Sequence, residues 1–441
     1  MTSSARPDRT SAQILDSRHP ANRQENPMHS IGRPLLVIAT AAITAFIVTM
    51  TPASASLSPL PDLALTQSDF YVPPSPLPQG LPGDLVKSES ITASLYPEAR
   101  ATRIMYLSRS ARGATVAVTG VLLTPLTQQP GENNPVVVHA PGTRGLGDQC
   151  APSKQTDLST LNATSADYST SEHHRFLENG VSVVITDYVG QGTPGLPEYL
   201  VGPSEGRNVL DALRAAQQVE GAGLSQQSPV GISGYSQGGQ AAGWAAELQP
   251  SYAPELDLRG VLAGGVPTDM WVEVNHLSGN PVGSGFAIAT LVGLDTAYPD
   301  LALASRLTAD GQAAVDRVKE SCFVEGATAF GTMSISEVTT PDVLTDVNWQ
   351  HAYQRSLLGT RDPGAAAYVY HGTTDTVVPF AQGQELYAGW CSHGADVTFE
   401  RIDGIEHVVG AAFTTPTGIA WLTDRLHGEP ADPGCRVTST P

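Results

Sequence analysis

One short stretch of the sequence could supply a serine nucleophile. Ser236 stands at the centre of a Gly-Tyr-Ser-Gln-Gly pentapeptide, with Gly234 and Gly238 two residues away on either side. An apolar run at 229–232 precedes it and is typical of a strand, whereas the Ala-rich run at 240–248 is typical of a helix. Glycines at this spacing permit a turn too tight for side chains, which holds the serine hydroxyl above the edge of a sheet. The pentapeptide alone also fits an ordinary glycine-rich turn, so the prediction depends on its partners.

A serine at neutral pH needs a base, and the base needs a carboxylate that orients it. Asp375 directly follows the apolar run at 366–370, which is typical of a buried strand, and Gly372 allows the chain to turn between them. We therefore predict that Asp375 lies over the sheet edge as the carboxylate of a catalytic triad. The alternative role for this side chain is a local turn, in which it accepts hydrogen bonds from nearby backbone.

The base is predicted at His407. It follows the run at 397–402, which we predict as the last strand, so that its loop lies at the same sheet edge as the serine. When a serine follows a strand in this manner, the order along the chain is serine, then acid, then histidine. Asp403 and Glu406 share the histidine's loop and are rivals to Asp375 as its orienting partner, but that order favours the earlier residue.

The negative charge that forms on an attacked carbonyl oxygen needs two fixed N–H donors. The amide of Gln237 comes directly after the serine, at the start of the predicted helix, where the helix dipole also favours an anion. We expect the second donor in the loop at 140–145. Pro141 has no N–H, so Thr143 or a neighbour is the candidate.

The rest of the chain alternates between apolar strands and helices. Two runs between 102 and 123 predict an opening antiparallel pair. The later predicted strands lie at 135–140, 181–186, 229–232, 258–264, 366–370 and 397–402, and the predicted helices at 172–179, 205–218, 240–248, 382–390 and 417–426. This alternation predicts an α/β fold with a mostly parallel, doubly wound sheet in two parts, 101–265 and 363–441. His139 and His371 end predicted strands, and we expect each to support a loop through hydrogen bonds.

The alternation stops between 266 and 362, where the pattern is helical and no strand is predicted. We interpret this segment as an inserted helical cap or lid. Its run at 285–294 is apolar on nearly all sides, so that Phe286, Ile288 and Leu291 would cover the site or bind an acyl chain. The alternative is that these side chains form the ordinary core of the cap.

The composition of the chain excludes some partners. Its 441 residues carry a net charge of −19, and 41% of them are hydrophobic, which is ample for a large core. The only lysines are Lys87, Lys154 and Lys319. An acidic, lysine-poor surface argues against nucleic acid and against anionic membranes as partners. The cysteines lack metal-ligand spacing, and we predict neither a metal nor a cofactor.

The N-terminal region has the features of a secretory signal peptide. An uncharged apolar run at 35–50 follows Arg33 and is followed by an Ala-Ser-Ala sequence that ends at Ala55. We predict a signal peptide at 28–55, cleaved after Ala55, with 1–27 as an upstream extension or a misplaced start. A buried N-terminal helix is the alternative. Because the run is shorter than a membrane span, we expect a secreted protein with no transmembrane anchor after cleavage.

Two features bear on how the ends of the chain are held. The segment 56–100 opens with a proline-rich stretch that cannot be helical, and we predict an extended arm that Phe70 and Tyr71 anchor along the body. An even number of cysteines in an exported chain predicts two disulfides. The cysteines are Cys150, Cys322, Cys391 and Cys435, and three pairings are possible.

Together these motifs resemble those of the secretory lipase family, the capped α/β-hydrolases of the lipase-A type. The resemblance spans nearly all of 65–437. The matching residues are Asp69-Phe70-Tyr71, His139–Gly145, Asp148-Gln149-Cys150-Ala151-Pro152-Ser153, Thr186-Asp187-Tyr188 with Gly190 and Gly192, Gly234-Tyr235-Ser236-Gln237-Gly238-Gly239, and His371-Gly372 with Asp375. In such proteins Gly234, Tyr235 and Gly238 would form the turn, or nucleophile elbow, around the serine.

The resemblance implies the triad predicted above and a lid within the inserted segment. It also implies two disulfides, Cys150–Cys322 and Cys391–Cys435, the first of which would tie a core loop to the cap. The oxyanion loop varies within the family, so the donor among residues 142–144 stays open.

We therefore expect a secreted serine ester hydrolase, a lipase or carboxylesterase, that cleaves acylglycerols or other lipid esters through an acyl-enzyme on Ser236. Its partner would be a lipid ester or a lipid–water interface. An acyltransferase that uses the same triad and a non-catalytic secreted binding module are the alternatives. Product analysis with an alcohol acceptor tests the first alternative, and labelling by a serine-directed phosphonate tests the second.

Overall fold

The computed structural model describes residues 69–128, 131, 133–160, 168–412 and 416–440. The predicted signal peptide at 28–55, the extension before it and the first part of the proline-rich arm lie outside these residues. Where the described arm begins, Phe70 and Tyr71 are buried in a small cluster with Met105 and Ala117. The two aromatic side chains therefore anchor the arm on the body of the protein, as predicted.

Ten strands of the described chain form one sheet. They are β1 (Leu85–Ile91), β2 (Ala99–Arg109), β3 (Thr115–Pro125), β4 (Val136–Ala140), β5 (Ser182–Thr186), β6 (Val230–Tyr235), β7 (Leu258–Gly264), β8 (Ala367–Gly372), β9 (Val397–Ile402) and β10 (Cys435–Thr440). Their order across the sheet is β1-β2-β3-β5-β4-β6-β7-β8-β9-β10. The first three strands run antiparallel to their neighbours, and the strands from β5 across to β10 are parallel to one another. The predicted opening pair and the mostly parallel sheet are confirmed.

Helices cover both faces of this sheet. The helices of the described chain are α1 (Thr170–Glu178), α2 (Gly202–Ala216), α3 (Gln237–Tyr252), α4 (Met270–Leu277), α5 (Ser284–Ala297), α6 (Ala309–Glu320), α7 (Phe323–Thr328), α8 (Ile335–Val338), α9 (Val347–Gln354), α10 (Phe380–Ser392), α11 (His407–Ala412) and α12 (Pro416–Leu426). Leu213, Ala242 and Trp390 bury α2, α3 and α10 in the core on one face. Phe176 and Leu422 bury α1 and α12 in the core on the other. The fold is therefore doubly wound, and its central strands are buried on both sides.

Six helices, α4 to α9, lie between β7 and β8, and no strand is assigned in this part of the described chain. We call residues 266–362 the inserted helical segment. It has a core of its own, in which Ile288 and Trp349 are fully buried. The same core takes in Tyr199 and Val377, which belong to loops at the carboxyl edge of the sheet. The inserted helical segment therefore packs directly on the loops that hold the predicted site.

Within the described residues, no single helix is both long and apolar enough to cross a membrane. One pair of consecutive helical segments, Ser284–Ala297 and Pro299–Ser305, has the length and apolar composition of a span, but the pair is bent by 113° between its two parts.

Two strands and one helical turn differ from the predictions. The run at 397–402 is not the last strand, because β10 follows it and pairs with it in parallel register from Cys435 to Thr440. This strand is mostly exposed and polar, so it lacks the apolar pattern that marks a strand in sequence. The equally polar β1 lies inside the predicted arm. The prediction that the arm contains no helix is wrong at Asp69–Tyr71, a single 3₁₀ turn just before its described prolines.

Candidate active site

Ser236 lies in a tight turn between β6 and α3. Its backbone has φ 60° and ψ −123°, a conformation that side chains rarely adopt, and its N–H donates to the carbonyl of Gly264 at 2.9 Å. A Cβ on Gly234 would lie 2.1 Å from the carbonyl oxygen of Gly238. A Cβ on Gly238 would lie 2.0 Å from that of Ala140. Both positions therefore require glycine, and the turn has the geometry predicted for a nucleophile elbow.

The imidazole of His407 lies between the serine and a carboxylate. Its Nε2 is 2.9 Å from Oγ of Ser236, and its Nδ1 is 2.7 Å from Oδ2 of Asp375. Because an ionised carboxylate can only accept, Nδ1 carries the proton and Nε2 is free to accept from the serine hydroxyl. Tyr235 packs its ring 5.0 Å from the imidazole and donates its hydroxyl to the backbone carbonyl of His407 at 3.0 Å. The elbow thus also holds the base.

Asp375 fills both of its predicted alternative roles, since it closes a local turn and also orients the histidine. Its Oδ1 accepts from the amides of Val377 at 2.9 Å and Val378 at 2.7 Å, which is the local turn. Its Oδ2 faces His407 and, at 3.2 Å, Nε2 of His371. Burial opposes its ionisation, but the two histidines and their hydrogen bonds hold the pKa of Asp375 well below its usual value. The carboxylate is therefore charged at neutral pH.

The rival carboxylates make other contacts. Asp403 pairs with Arg401 at 3.2 Å on the surface. The side chain of Glu406 accepts from Oγ1 of Thr376 at 2.7 Å and from the amide of Val408 at 3.1 Å. Neither carboxylate bonds to the histidine ring, so the ring is oriented by the earlier loop.

The two amides predicted as oxyanion donors make no hydrogen bond of their own among the residues that the structure describes. The backbone N–H groups of Gln237 and Thr143 donate no hydrogen bond within the described chain. The side chains of both residues are tied down nearby. Oγ1 of Thr143 is 2.8 Å from the hydroxyl of Tyr199, and Nε2 of Gln237 donates to Oε1 of Glu205 at 2.7 Å. Both predicted donors are therefore fixed by one segment, which runs from the loop before α2 into its first turn.

Tyr199 and Glu205 were not predicted as site residues. A signal for Glu205 was present, because it precedes Val209 and Leu213 at helical spacing on the apolar face of its helix. A carboxylate on such a face must be buried, and Glu205 is only 1% exposed. Tyr199 gave no signal in sequence, since its contact with Thr143 exists only in the fold.

A disulfide fastens the oxyanion loop to the inserted helical segment. Cys150 and Cys322 are bonded, with their Cα atoms 5.5 Å apart, and Gly145 forms an antiparallel bridge with Cys322. The amide of Leu146 donates to the carbonyl of Ser321 at 3.0 Å. The second disulfide, Cys391–Cys435, joins α10 to β10. The structure thus contains both of the pairs that the family resemblance implied.

The inserted helical segment also contacts the loop between β8 and α10, residues 373–379, which carries Asp375 and which we call the acid loop. The carbonyl of Thr376 lies 2.8 Å from Nε2 of His276 and accepts from Nδ2 of Asn280 at 3.3 Å. Oε2 of Glu273 accepts from Nε2 of Gln382 at 2.6 Å. Burial raises the pKa of Glu273 well above its usual value, so this contact places no charge beside the acid.

The three residues predicted to line a lid are all in α5. Phe286 stacks on Phe323, with ring centroids 5.8 Å apart, and lines a small apolar cavity together with Thr143. Ile288 and Leu291 are fully buried in the core of the inserted helical segment. Contact with an acyl chain stays a prediction for all three residues. Phe286 is the strongest candidate for it, because it lines the cavity.

The histidines that end β4 and β8 are buried supports. His139 lies 3.3 Å from Glu172 of α1 and 3.2 Å from Oγ of Ser233 in β6. His371 lies 3.0 Å from the carbonyl of Val378 and close to the acid. His371 thus supports the loop after β8, as predicted. The contacts of His139 are instead with a helix and a neighbouring strand, so the loop predicted for it is not what it holds.

A doubly wound sheet with a Ser-His-Asp chain above its carboxyl edge defines an α/β-hydrolase arrangement. The model of the secretory lipase family matches residues 154–434, and the chain belongs to that family. A secreted triacylglycerol lipase of Malassezia globosa is 28% identical over 393 residues, which cover 85% of this chain and 84% of that protein. A probable inactive lipase of Mycobacterium tuberculosis is 26% identical over 385 residues, 82% of each chain.

Among solved structures, lipase A of Candida antarctica in its closed state has the same fold. It superposes with a TM-score of 0.73 at 22% identity, over 83% of this chain and 87% of that one.

Proposed function

We propose that the protein is a secreted serine ester hydrolase that acts on lipid esters. The chain of short contacts from Ser236 through His407 to Asp375 carries this proposal. In the reaction, Oγ of Ser236 attacks the ester carbonyl while Nε2 of His407 takes its proton. The imidazolium, stabilised by Asp375, then protonates the alcohol that leaves, and an acyl-enzyme remains. Water attacks the acyl-enzyme by the same route in reverse, which releases the acid and restores the serine.

The amides of Gln237 and Thr143 would stabilise the tetrahedral intermediate. Both lack a partner within the described chain, so they need no reorganisation to accept an anion. Loss of one such donor typically costs about 3 kcal/mol in the activation barrier. Which amide of residues 142–144 donates is part of the proposal, and Thr143 is supported by its anchored side chain.

Triacylglycerols are the proposed substrates. The relative from Malassezia globosa carries that activity in its name. The packing of the inserted helical segment on the acid and oxyanion loops supports a role as a cap that restricts access. Secretion is supported by the predicted signal peptide and by the same relative. We propose that the capped site takes its substrate from a lipid–water interface.

Substitution of Ser236 tests the mechanism. Ser236→Ala should abolish hydrolysis of soluble and emulsified esters, because loss of the nucleophile typically lowers kcat by a factor on the order of 10⁶. Ser251→Ala is the matched control, since Ser251 lies in the same helix and bonds only to the carbonyl of Leu248, at 3.2 Å. Initial rates on nitrophenyl esters of increasing acyl length, and on emulsified triacylglycerol, are the measurements.

Three outcomes would change the assignment. Unchanged rates of ester hydrolysis in Ser236→Ala would rule out a mechanism in which Ser236 is the nucleophile. Ester products in the presence of an alcohol, formed faster than free acid, would identify an acyltransferase. Failure of a serine-directed phosphonate to label the folded protein would indicate a non-catalytic module, a possibility that the probable inactive relative makes worth testing.

A further inference from the structure

A buried carboxyl group lies beside the start of α3. Oε1 of Glu205 accepts from Nε2 of Gln237 at 2.7 Å and from the amide of Leu200 at 2.9 Å. The residue is 1% exposed, and its Oε2 has no partner within the described chain. The triad and the oxyanion loop make no use of this group, yet it holds the side chain of the residue whose amide is the proposed first oxyanion donor.

The surroundings of Glu205 do not supply a positive charge. The titratable groups that face it are Glu198, from the loop before α2, and the phenols of Tyr188 and Tyr199. From α3 it meets the neutral amide of Gln237. Burial, with a smaller contribution from Glu198, raises the pKa of Glu205 to about 8 in spite of its two hydrogen bonds. The group is therefore neutral at neutral pH and becomes charged in mildly alkaline solution.

The packing of α2 on α3 leaves Glu205 little freedom to move. A Cβ on Gly206 would lie 2.8 Å from the amide nitrogen of Ala245, so the two helices are in backbone contact one residue after Glu205. Leu200, the second donor to Glu205, has a positive φ of 58°. The carboxyl group thus joins a strained loop and the first residue of α3 within a rigid contact.

We propose that Glu205 is a positioning residue that works in its neutral form, in which it anchors Gln237 and keeps negative charge away from the forming oxyanion. The inference rests on the proposed function. A charged Glu205 would oppose the developing negative charge through a water-poor interior, where such interactions are strong. Because burial raises the pKa of Glu205 to about 8, activity should fall in mildly alkaline solution.

Two substitutions separate anchoring from charge. Glu205→Gln keeps an acceptor for both donors and cannot ionise, so its kcat at neutral pH should stay within about twofold of wild type. Its kcat should also persist at alkaline pH, where that of wild type declines. Glu205→Ala removes the acceptor and should lower kcat by about tenfold or more, with KM little changed.

The matched control is Glu247→Gln. Glu247 is a buried carboxyl group in α3, the helix that begins at Gln237, and burial raises its pKa as it does that of Glu205. Its Oε1 accepts from Trp390 of α10 at 2.9 Å and from the amide of Gly359 at 2.7 Å, and neither partner belongs to the elbow. This variant should leave the pH profile of kcat unchanged.

The experiment measures kcat and KM on a soluble nitrophenyl ester from about pH 6 to about pH 10, with circular dichroism to verify folding. An alkaline decline that is the same in wild type and Glu205→Gln would overturn the proposal, as would a kcat in folded Glu205→Ala equal to wild type. If Glu205→Ala does not fold, the dependence of kcat on pH in Glu205→Gln still tests the proposal. A failure of the proposed function is distinct, because wild type itself would then neither hydrolyse esters nor react with a phosphonate at Ser236.

Discussion

Asp375 shows how much one side chain does at this site. Its Oδ1 closes a turn on the amides of Val377 and Val378, and its Oδ2 orients His407. A single carboxylate therefore shapes the acid loop and selects the tautomer of the base. Because different oxygens serve the two roles, substitution can separate them.

Asp375→Asn should separate structure from catalysis. The amide oxygen of asparagine can still accept from the amides of Val377 and Val378, whereas its NH₂ group faces Nδ1 of His407 and favours the wrong tautomer. We expect kcat to fall by about 10³ to 10⁴, with the unfolding temperature nearly unchanged. Steady-state kinetics and calorimetry on the same preparation are the measurements.

The control is Asp403→Asn, in the histidine's own loop. Within the described chain, the side chain of Asp403 pairs only with the exposed Arg401, so this substitution should change neither kcat nor the unfolding temperature. A loss of activity in Asp403→Asn as large as that in Asp375→Asn would contradict the assignment of the acid.

At the residue scale, chain order and strand ends were enough to predict which three side chains meet at the sheet edge. Ser236, Asp375 and His407 each follow a recognisable strand, so the fold alone brings them to one edge. Glu205 and Tyr199 were missed for a physical reason. They act on the oxyanion donors through side-chain contacts between distant segments, and no local pattern encodes such contacts.

At the scale of elements, the elbow depends on close backbone contact between β4, β6 and α3. Gly234 and Gly238 admit this contact because neither carries a Cβ. Ser236 is the residue that bears the resulting backbone strain, with its positive φ of 60°. The position of the hydroxyl is therefore a property of three elements packed together.

Gly238→Ala should disrupt that packing. The added Cβ would lie 2.0 Å from the backbone oxygen of Ala140, which cannot move without shifting the oxyanion loop. We expect the free energy of unfolding to fall by about 2 kcal/mol or more, together with kcat. Denaturant titration and ester hydrolysis measure the two effects.

Gly231→Ala in β6, the strand that leads into the elbow, is the comparison. Its nearest neighbour would be the flexible side chain of Leu422, at 3.2 Å, so both effects should be much smaller. Equal losses in Gly231→Ala and Gly238→Ala would mean that an added Cβ is as costly outside the elbow as within it, which would contradict the packing argument.

Sequence patterns predicted the buried strands and missed the two outer ones. The strands β4 to β8 are apolar because both of their faces are covered. The outer strands β1 and β10 are largely exposed and polar, so they carry no such pattern. They are held instead by pairing with β2 and β9 and, for β10, by the disulfide Cys391–Cys435.

At the scale of the whole molecule, the two disulfides should differ in function. Cys150–Cys322 ties the oxyanion loop to the inserted helical segment across a sequence separation of 172 residues. Cys391–Cys435 spans a sequence separation of only 44 residues. It lies at the edge strand β10, four strands away from β6, which leads to Ser236. Both stabilise the fold, but only the first adjoins the site.

Paired replacement of cysteines by serine tests this difference. Removal of either disulfide should lower the free energy of unfolding by about 2 to 5 kcal/mol. Only loss of Cys150–Cys322 should also reduce kcat, because Gly145 in the oxyanion loop is bridged to Cys322. Equal kcat in both paired variants would show that the oxyanion loop holds its shape without the bond.

The inserted helical segment is fastened at both flanks of the triad, by Cys150–Cys322 on one side and by His276 and Asn280 on the other. This has a practical consequence for protein engineering. Exchange of the whole segment for that of a relative, as a route to new substrate preference, would also release the oxyanion and acid loops. Single substitutions around Phe286, which lines the small cavity beside Thr143, leave both attachments in place and are the sounder starting library.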